Sequence, residues 1–201
     1  MHARSPNSAG SLLIAAVSGR ALAAAARRAG YRPLVADFFC DTDTVAMAER
    51  VQMLPGNLQH GIDASRLVEA LRQFAGNDQP TALVLGSGFE RESDIVDEVA
   101  RHFPLAGNRG TAIRRVKDPQ ALAADCAELG IPHPEFRWDV PPDPEKWVVK
   151  TTGGAGGSHV GRVNGTKLPP GRYFQRFVSG QSVSALFIGD GDGARVIGFS
   201  R

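Results

Sequence analysis

At 201 residues, 42% of them hydrophobic, the chain can fill the core of one large domain or two small ones. Its net charge of +2 comes from scattered lysines and arginines, so a pI near 8.7 leaves no footprint for nucleic acid. Two cysteines, Cys40 and Cys126, neither in a C-x-x-C pair, exclude a disulfide framework and cysteine-held metal, and the five histidines lack ligand spacing. The chain therefore reads as a cytoplasmic protein with no resident metal among its own residues. The apolar run 12–17 behind Arg4 imitates a secretion signal. It is short, however, and Ser18-Gly19-Arg20 stands where a cleavage region would be small and uncharged. No apolar run reaches membrane-spanning length.

The first half alternates short apolar runs with helical patterns. Residues 12–17 predict a buried strand. The alanine-rich run 20–29 predicts a helix stopped by Gly30. Residues 33–36 predict a second strand ending at Asp37, and 44–50 a helix capped by Asp43. A short third strand is expected at 51–54. A helix capped by Asp63 or Ser65 then runs through Leu67, Val68, Leu71 and Phe74. Residues 81–85 predict another buried strand, ending in Gly86-Ser87-Gly88-Phe89-Glu90 before a helix near 93–102. Strands alternating with helices imply a parallel sheet, whose ligands bind at the carboxyl ends of its strands. Three loops are expected there, at 18–20, 37–43 and 86–90.

A boundary is expected near Gly107. Residues 119–129 predict a helix, stopped by Gly130-Ile131-Pro132-His133-Pro134, and Arg114-Arg115-Val116-Lys117 reads as a solvated helix face. Past a turn at 141–144 the pattern becomes β-rich, with strands expected at 147–150, 160–163, 172–178, 182–188 and 194–200. Residues 165–171 and 189–193 read as hairpin turns. The sequence stops inside its last expected strand, which suggests a fragment of a longer protein.

The most informative stretch is Trp147-Val148-Val149-Lys150-Thr151-Thr152-Gly153-Gly154-Ala155-Gly156-Gly157-Ser158-His159-Val160. A strand delivers a lysine, and a glycine-dense loop follows at once. The ammonium is a mobile point charge, and successive glycine amides can nest an anion. Together they suit a polyphosphate. The order of parts excludes a P-loop, whose lysine follows its glycines and opens a helix. It excludes a Rossmann fingerprint too, because alternation from Ser158 to Val163 leads into a strand. Further on, Tyr173-Phe174-Gln175-Arg176-Phe177-Val178-Ser179-Gly180 offers Phe174, Phe177 and Val178 as walls for a flat base. The backbone of 175–178 would supply the hydrogen bonds. The same pattern also suits a core strand whose aromatics only pack.

The 130–134 helix exit, the Val148-Val149-Lys150 strand, the 153–157 glycine loop and the 173–180 segment together resemble the ATP-grasp superfamily, in its carboxylate–amine ligase branch. The resemblance implies an α/β fold in two parts. An N-terminal parallel, Rossmann-like (pre-ATP-grasp) domain over 1–107 would precede an incomplete α+β ATP-grasp domain over 108–201, with its small lobe, hinge and the start of a large lobe. It implies ATP and Mg²⁺ as cofactors, with the metal's acidic ligands beyond residue 201. Carried over by position, Lys150 and Lys117 resemble the family's phosphate lysines, with Arg115 a rival for the second place. Gly153, Gly154, Gly156, Gly157 and Ser158 would form the phosphate loop, and Gln175, Arg176, Phe177 and Val178 the hinge. Two departures stand out. The hinge begins with Gln175 where the family usually has Glu, and Gln181-Ser182 stands where an acidic ribose ligand is common.

Within the superfamily, residues 14–20, Asp37 and 86–90 resemble small ligases of one-carbon cofactor metabolism that join glutamate to an amine such as tyramine. Glu90 would hold a substrate ammonium, and Ser18 or Arg20 a carboxylate; the plainer alternatives are a helix-terminal charge and a cap. The expected partners are ATP and small carboxylate and amine substrates, with no nucleic acid, no membrane, and a homodimer as the assembly. The full-length enzyme would turn over and this fragment alone would not. No catalytic residue is assigned. Two rivals stand beside this reading. One is a non-catalytic nucleotide sensor. The other is an oxidoreductase, for which Ser18-Gly19-Arg20 lacks G-x-G-x-x-G.

Overall fold

The computed structural model describes residues 10–157, 159–163 and 168–201. In chain order the first part runs β1 (Ser11–Ala15), α1 (Arg20–Arg28), β2 (Arg32–Asp37), α2 (Thr42–Met47), β3 (Arg50–Met53), the small hairpin β4 (Gly56–Asn57) and β5 (Gly61–Ile62), α3 (Ala64–Ala75), β6 (Ala82–Leu85) and α4 (Ser93–His102). β1, β2, β3 and β6 form one parallel sheet in the order β3-β2-β1-β6, as the alternation of elements predicts. Leu105 adds a parallel bridge to Leu83.

Both faces of this sheet are covered, which is why its strands read as nearly continuous apolar runs. Leu13, Leu34 and Leu83 point to one side, onto Leu67, Leu71 and Phe74 of α3 and Val96 and Val99 of α4. Ile14 and Val35 point to the other, onto Ala23 and Ala26 of α1. Small alanines let α1 lie close to the strands. Gly30 takes φ +83°, which ends α1 as the sequence suggests.

The capping prediction for α2 needs correction. The helix begins at Thr42, and its cap is Asp41, which accepts the Thr44 amide at 2.7 Å. Asp43 lies in the first turn and pairs instead with Arg20 at 3.1 Å. Asp63 does cap α3.

The second part runs α5 (Gly110–Lys117), α6 (Pro119–Glu128), β7 (Phe136–Arg137), a 3₁₀ turn at Pro144–Lys146, β8 (Trp147–Thr151), β9 (Gly161–Arg162), β10 (Arg172–Arg176), β11 (Ser184–Gly189) and β12 (Ala194–Ser200). β7, β10, β8 and β9 form an antiparallel sheet in that order. β9 is shorter than the expected 160–163, and β10 stops before Phe177 and Val178. The turn expected at 165–171 falls partly outside the described residues. α5 is not a freely solvated face: Arg114 pairs with Asp94 and Asp97 of α4, and the Gly110 amide donates to Asp97 at 2.9 Å. β11 and β12 pair with each other as a ribbon. Leu186, Phe187, Ile188, Val196, Ile197 and Phe199 all stay exposed on it.

One carboxylate pins the start of β8. Asp143 accepts the Trp147 indole N–H at 2.9 Å, and it meets Lys146 at 3.2 Å and Arg176 at 3.0 Å. The Trp147 donor first, then the two cations, hold its carboxyl down at about 2. A carboxyl depressed in the folded state adds stability that is complete above its ordinary value of about 3.9 and is lost as pH falls towards the folded value. Asp143→Asn is therefore expected to destabilise the chain at neutral pH, with the gap from wild type closing between about pH 4 and pH 2. Urea unfolding across that range checks this; a gap that does not depend on pH would contradict it.

Candidate functional site

Strand alternation places the chemistry. In the β8–β10 register Lys150 stands opposite Tyr173 and Val148 opposite Gln175, so these four side chains share one face. Phe174, one residue out of step, is fully buried on the other face and walls no slot, which corrects the expectation made for it. Lys150 donates to Gln175 Oε1 at 2.9 Å. The uncharged Gln175 amide therefore holds the lysine through its carbonyl.

α5 and α6 supply the opposite wall. Lys117 reaches in at the end of α5 and donates to the Gly154 carbonyl at 2.9 Å. Arg115, its rival, is exposed and forks onto Asp125 of α6 at 2.8 and 2.5 Å. The structure thus brings Lys117 and Lys150 together and excludes Arg115. Both lysines line a cavity of about 160 Å³ with Val116, Pro119, Leu122, His133, Thr151, Gly153, Gly154, His159, Tyr173 and Gln175. Burial first, and then the charge of Lys117, push the Lys150 ammonium below its ordinary range. A half-buried pair of like charges with no lining carboxylate is a site set for an anion.

The glycine loop closes this cavity. Gly153, Gly156 and Gly157 take φ of +73°, +71° and +79°, which side-chain-bearing residues rarely adopt. Gly154 leaves room for the His159 ring, on which a Cβ would collide. Ser158 lies outside the described residues. β9 follows the loop antiparallel to β8, so strand, glycine loop and strand form the expected hairpin.

The hinge residues are divided. The Arg176 side chain turns to Asp143 and the Trp147 ring, away from Lys150. The amides of Arg176 and Phe177 already donate to Glu135 and Lys146 carbonyls at 2.8 Å. The expected backbone donor is thereby narrowed to Val178. Phe177 and Val178 are exposed, and Phe177 lines a second cavity of about 370 Å³ with Pro144, Glu145, Trp147, Val148, Arg162 and Val163.

At the carboxyl edge of the parallel sheet, the three expected loops meet. The Val17 amide donates to Ser87 at 2.8 Å, and the Phe38 amide to Val17 at 3.2 Å. Asp37, to which sequence reasoning assigns no structural role beyond a strand end, is fully buried and organises this edge. It accepts the amides of Gly19 at 2.9 Å, Phe39 at 3.1 Å and Cys40 at 2.7 Å. Ser18 is exposed and caps nothing, since Gly19 is the α1 N-cap. Arg20 pairs with Asp43, and Glu90 accepts its own loop's Gly88 amide at 2.8 Å. With Asp37 seated on the Gly19 amide, the anion position at the start of α1 is already filled. That weighs against a dinucleotide pyrophosphate there.

His133, His159, Thr151 and Tyr173 also line the cavity and were not expected there. Period-two alternation would have found Tyr173 from Gln175. The histidines carry no sequence signal, because they reach the cavity from a loop and a helix exit.

These features match a known domain. Residues 116–201 match the family described as ATP-grasp domain. Similar solved structures extend the likeness over nearly the whole chain. An L-amino acid ligase from Bacillus licheniformis is 15% identical, covers 95% of this chain and 52% of its own, and has a TM-score of 0.67. An N5-carboxyaminoimidazole synthetase from Staphylococcus aureus, complexed with ADP, is 14% identical over 96% of this chain and 54% of its own, with a TM-score of 0.66. An N5-carboxyaminoimidazole synthase from Aspergillus clavatus, complexed with ADP and 5-aminoimidazole ribonucleotide, is 17% identical over 93% and 52%, with a TM-score of 0.63. The chain spans about half the length of these proteins. The likeness establishes the ATP-grasp fold, with a Rossmann-like parallel sheet ahead of the antiparallel one. No curated protein matches.

Among the described residues, no cluster of three His, Cys, Asp or Glu could hold a metal, and the lysine cavity has no lining carboxylate. The donors present do not fit Mg²⁺, and no chemistry is assigned to it at this cavity. Among the described residues, no helix is long and apolar enough to cross a membrane.

Proposed function

We propose that this chain holds ATP for a carboxylate–amine ligase that works through an acylphosphate, with Lys117 and Lys150 as its phosphate-binding cations. One observation carries the reading: both lysines converge on a single carboxylate-free cavity closed by a glycine loop. The cavity beside Val148 and Phe177 suits the base. Val148 and Lys150 are two residues apart on one face, about 7 Å along the strand, a spacing that accommodates a base followed by phosphates. Gly153, Gly154, Gly156, Gly157 and Ser158 would wrap those phosphates, with Gln175 steadying Lys150 and the Val178 amide meeting the base.

The glycine loop also approaches the substrate edge. A Cβ on Gly153 would lie 3.7 Å from the Glu90 carbonyl and 3.5 Å from Arg91 Cγ. Ser18, Arg20 and Glu90 would bind the carboxylate and amine partners near this junction. A substrate carboxylate oxygen would attack the γ-phosphorus and release ADP. An amine would then attack the acyl carbon, and inorganic phosphate would leave. The division near residue 107 belongs to this proposal, with α5 packed across it onto α4. So do cytoplasmic location, a homodimer, and Mg²⁺ held by residues outside this chain.

The finer assignment is glutamate joined to an amine for a one-carbon cofactor. Likeness to an L-amino acid ligase favours an amino acid as one substrate. The test is ADP release by the full-length protein with a panel of amino acids and amines. ADP release that requires glutamate is the expected result; release that is absent or unaltered across amino-acid donors would remove the glutamate assignment. The carboxylate-free lining also suits a non-catalytic nucleotide sensor. ATP binding without ADP release for any donor would favour that second reading. A thermal shift with NADH but not ATP would overturn both.

A further inference from the structure

We infer that His159 is a further phosphate-binding residue of the lysine cavity, and that nucleotide binding there takes up a proton on its ring. The inference rests on the nucleotide-site reading above. His159 Nδ1 lies 3.2 Å from the Ala155 carbonyl oxygen. A carbonyl only accepts, so Nδ1 carries the hydrogen and Nε2 holds the lone pair in the neutral ring. The ring packs over Gly154, where a Cβ would collide with it, and lines the cavity while staying partly exposed.

The groups facing the cavity from every packed element are Lys117 of α5, His133 of the helix exit, Lys150 of β8 and Tyr173 of β10. None is acidic. The two ammonium groups set a positive field in the cavity. A polyphosphate reverses that field. Its ionised oxygens are acceptors only, so contact with Nε2 requires a proton there. Binding therefore adds a third cation to the site and draws one proton from solution.

The experiment is calorimetric titration of this chain with ATP at pH 6.5 and 8.0, for wild type, His159→Gln and His133→Gln, in buffers of different ionisation enthalpy. The nucleotide's own titration is common to all three proteins and cancels in the comparison. Relative to His159→Gln, wild-type affinity is expected to fall about tenfold from pH 6.5 to 8.0 if the ring must carry a proton to meet the phosphate. Averaged over that range, wild type should also take up roughly two-thirds of a proton more per ATP bound. An unchanged pH profile in His159→Gln overturns the inference, as does a profile lost only in His133→Gln. Failure of wild type to bind ATP at either pH overturns the nucleotide site itself.

Discussion

Replacing Lys150 with methionine is expected to weaken ATP binding by about a hundredfold, equivalent to about 2.7 kcal/mol. An ammonium at contact distance from a phosphate gives about 4 kcal/mol at an effective dielectric of 20, and desolvation returns part of that. Methionine keeps the length of the stem, so Val148, Tyr173 and Gln175 stay packed around it. The charge removed is one that burial and Lys117 already disfavour in the unliganded chain. The variant should therefore fold normally while losing its ligand. Arg115→Ala supplies the contrast and should leave affinity unchanged, since its guanidinium is committed to Asp125. Calorimetric titration checks both, and a Lys150→Met affinity within threefold of wild type would contradict the site.

The second large effect concerns folding. Asp37→Ala is expected to cost about 2–4 kcal/mol, because it strands one buried and two partly buried amides rather than removing one contact. The amides of Gly19, Phe39 and Cys40 lose their acceptor together, and the Thr44 hydroxyl loses one at 3.5 Å. Cys40 sits at φ +45°, a conformation that needs its amide fixed. The three loops at the sheet's carboxyl edge should loosen as a group. The midpoint of urea unfolding measures the cost, and a loss below about 1 kcal/mol would show that water replaces the carboxylate there.

The parallel sheet was legible because β1, β2 and β6 are short apolar runs and because Gly30 stops α1 and Asp63 caps α3. Lys150 was legible because its strand and its glycine loop adjoin in sequence. What escaped depended on partners distant in the chain. Lys117 and Arg115 look alike until Asp125 of α6 claims one of them. The sequence reading names Asp43 as the cap, but Arg20 draws Asp43 away and Asp41 takes that place. The role of Phe174 turns on strand register, which fixes that Lys150 and Gln175 share a face and Phe174 does not. The start of α5 has no capping side chain, and β7 is too short to show a period, so neither of these left a pattern to read. Asp37 looked like the polar end of a strand, and only its three amide partners reveal what it organises.

The β11–β12 ribbon has a practical consequence for handling the chain. Both its faces carry bare isoleucine, leucine, valine and phenylalanine, and two strands alone hold their shape weakly. A ribbon of this kind offers its edges to copies of itself, so high concentration favours self-association. The lysine cavity lies on a different sheet, and dilute titrations keep its chemistry separate from that self-adhesion.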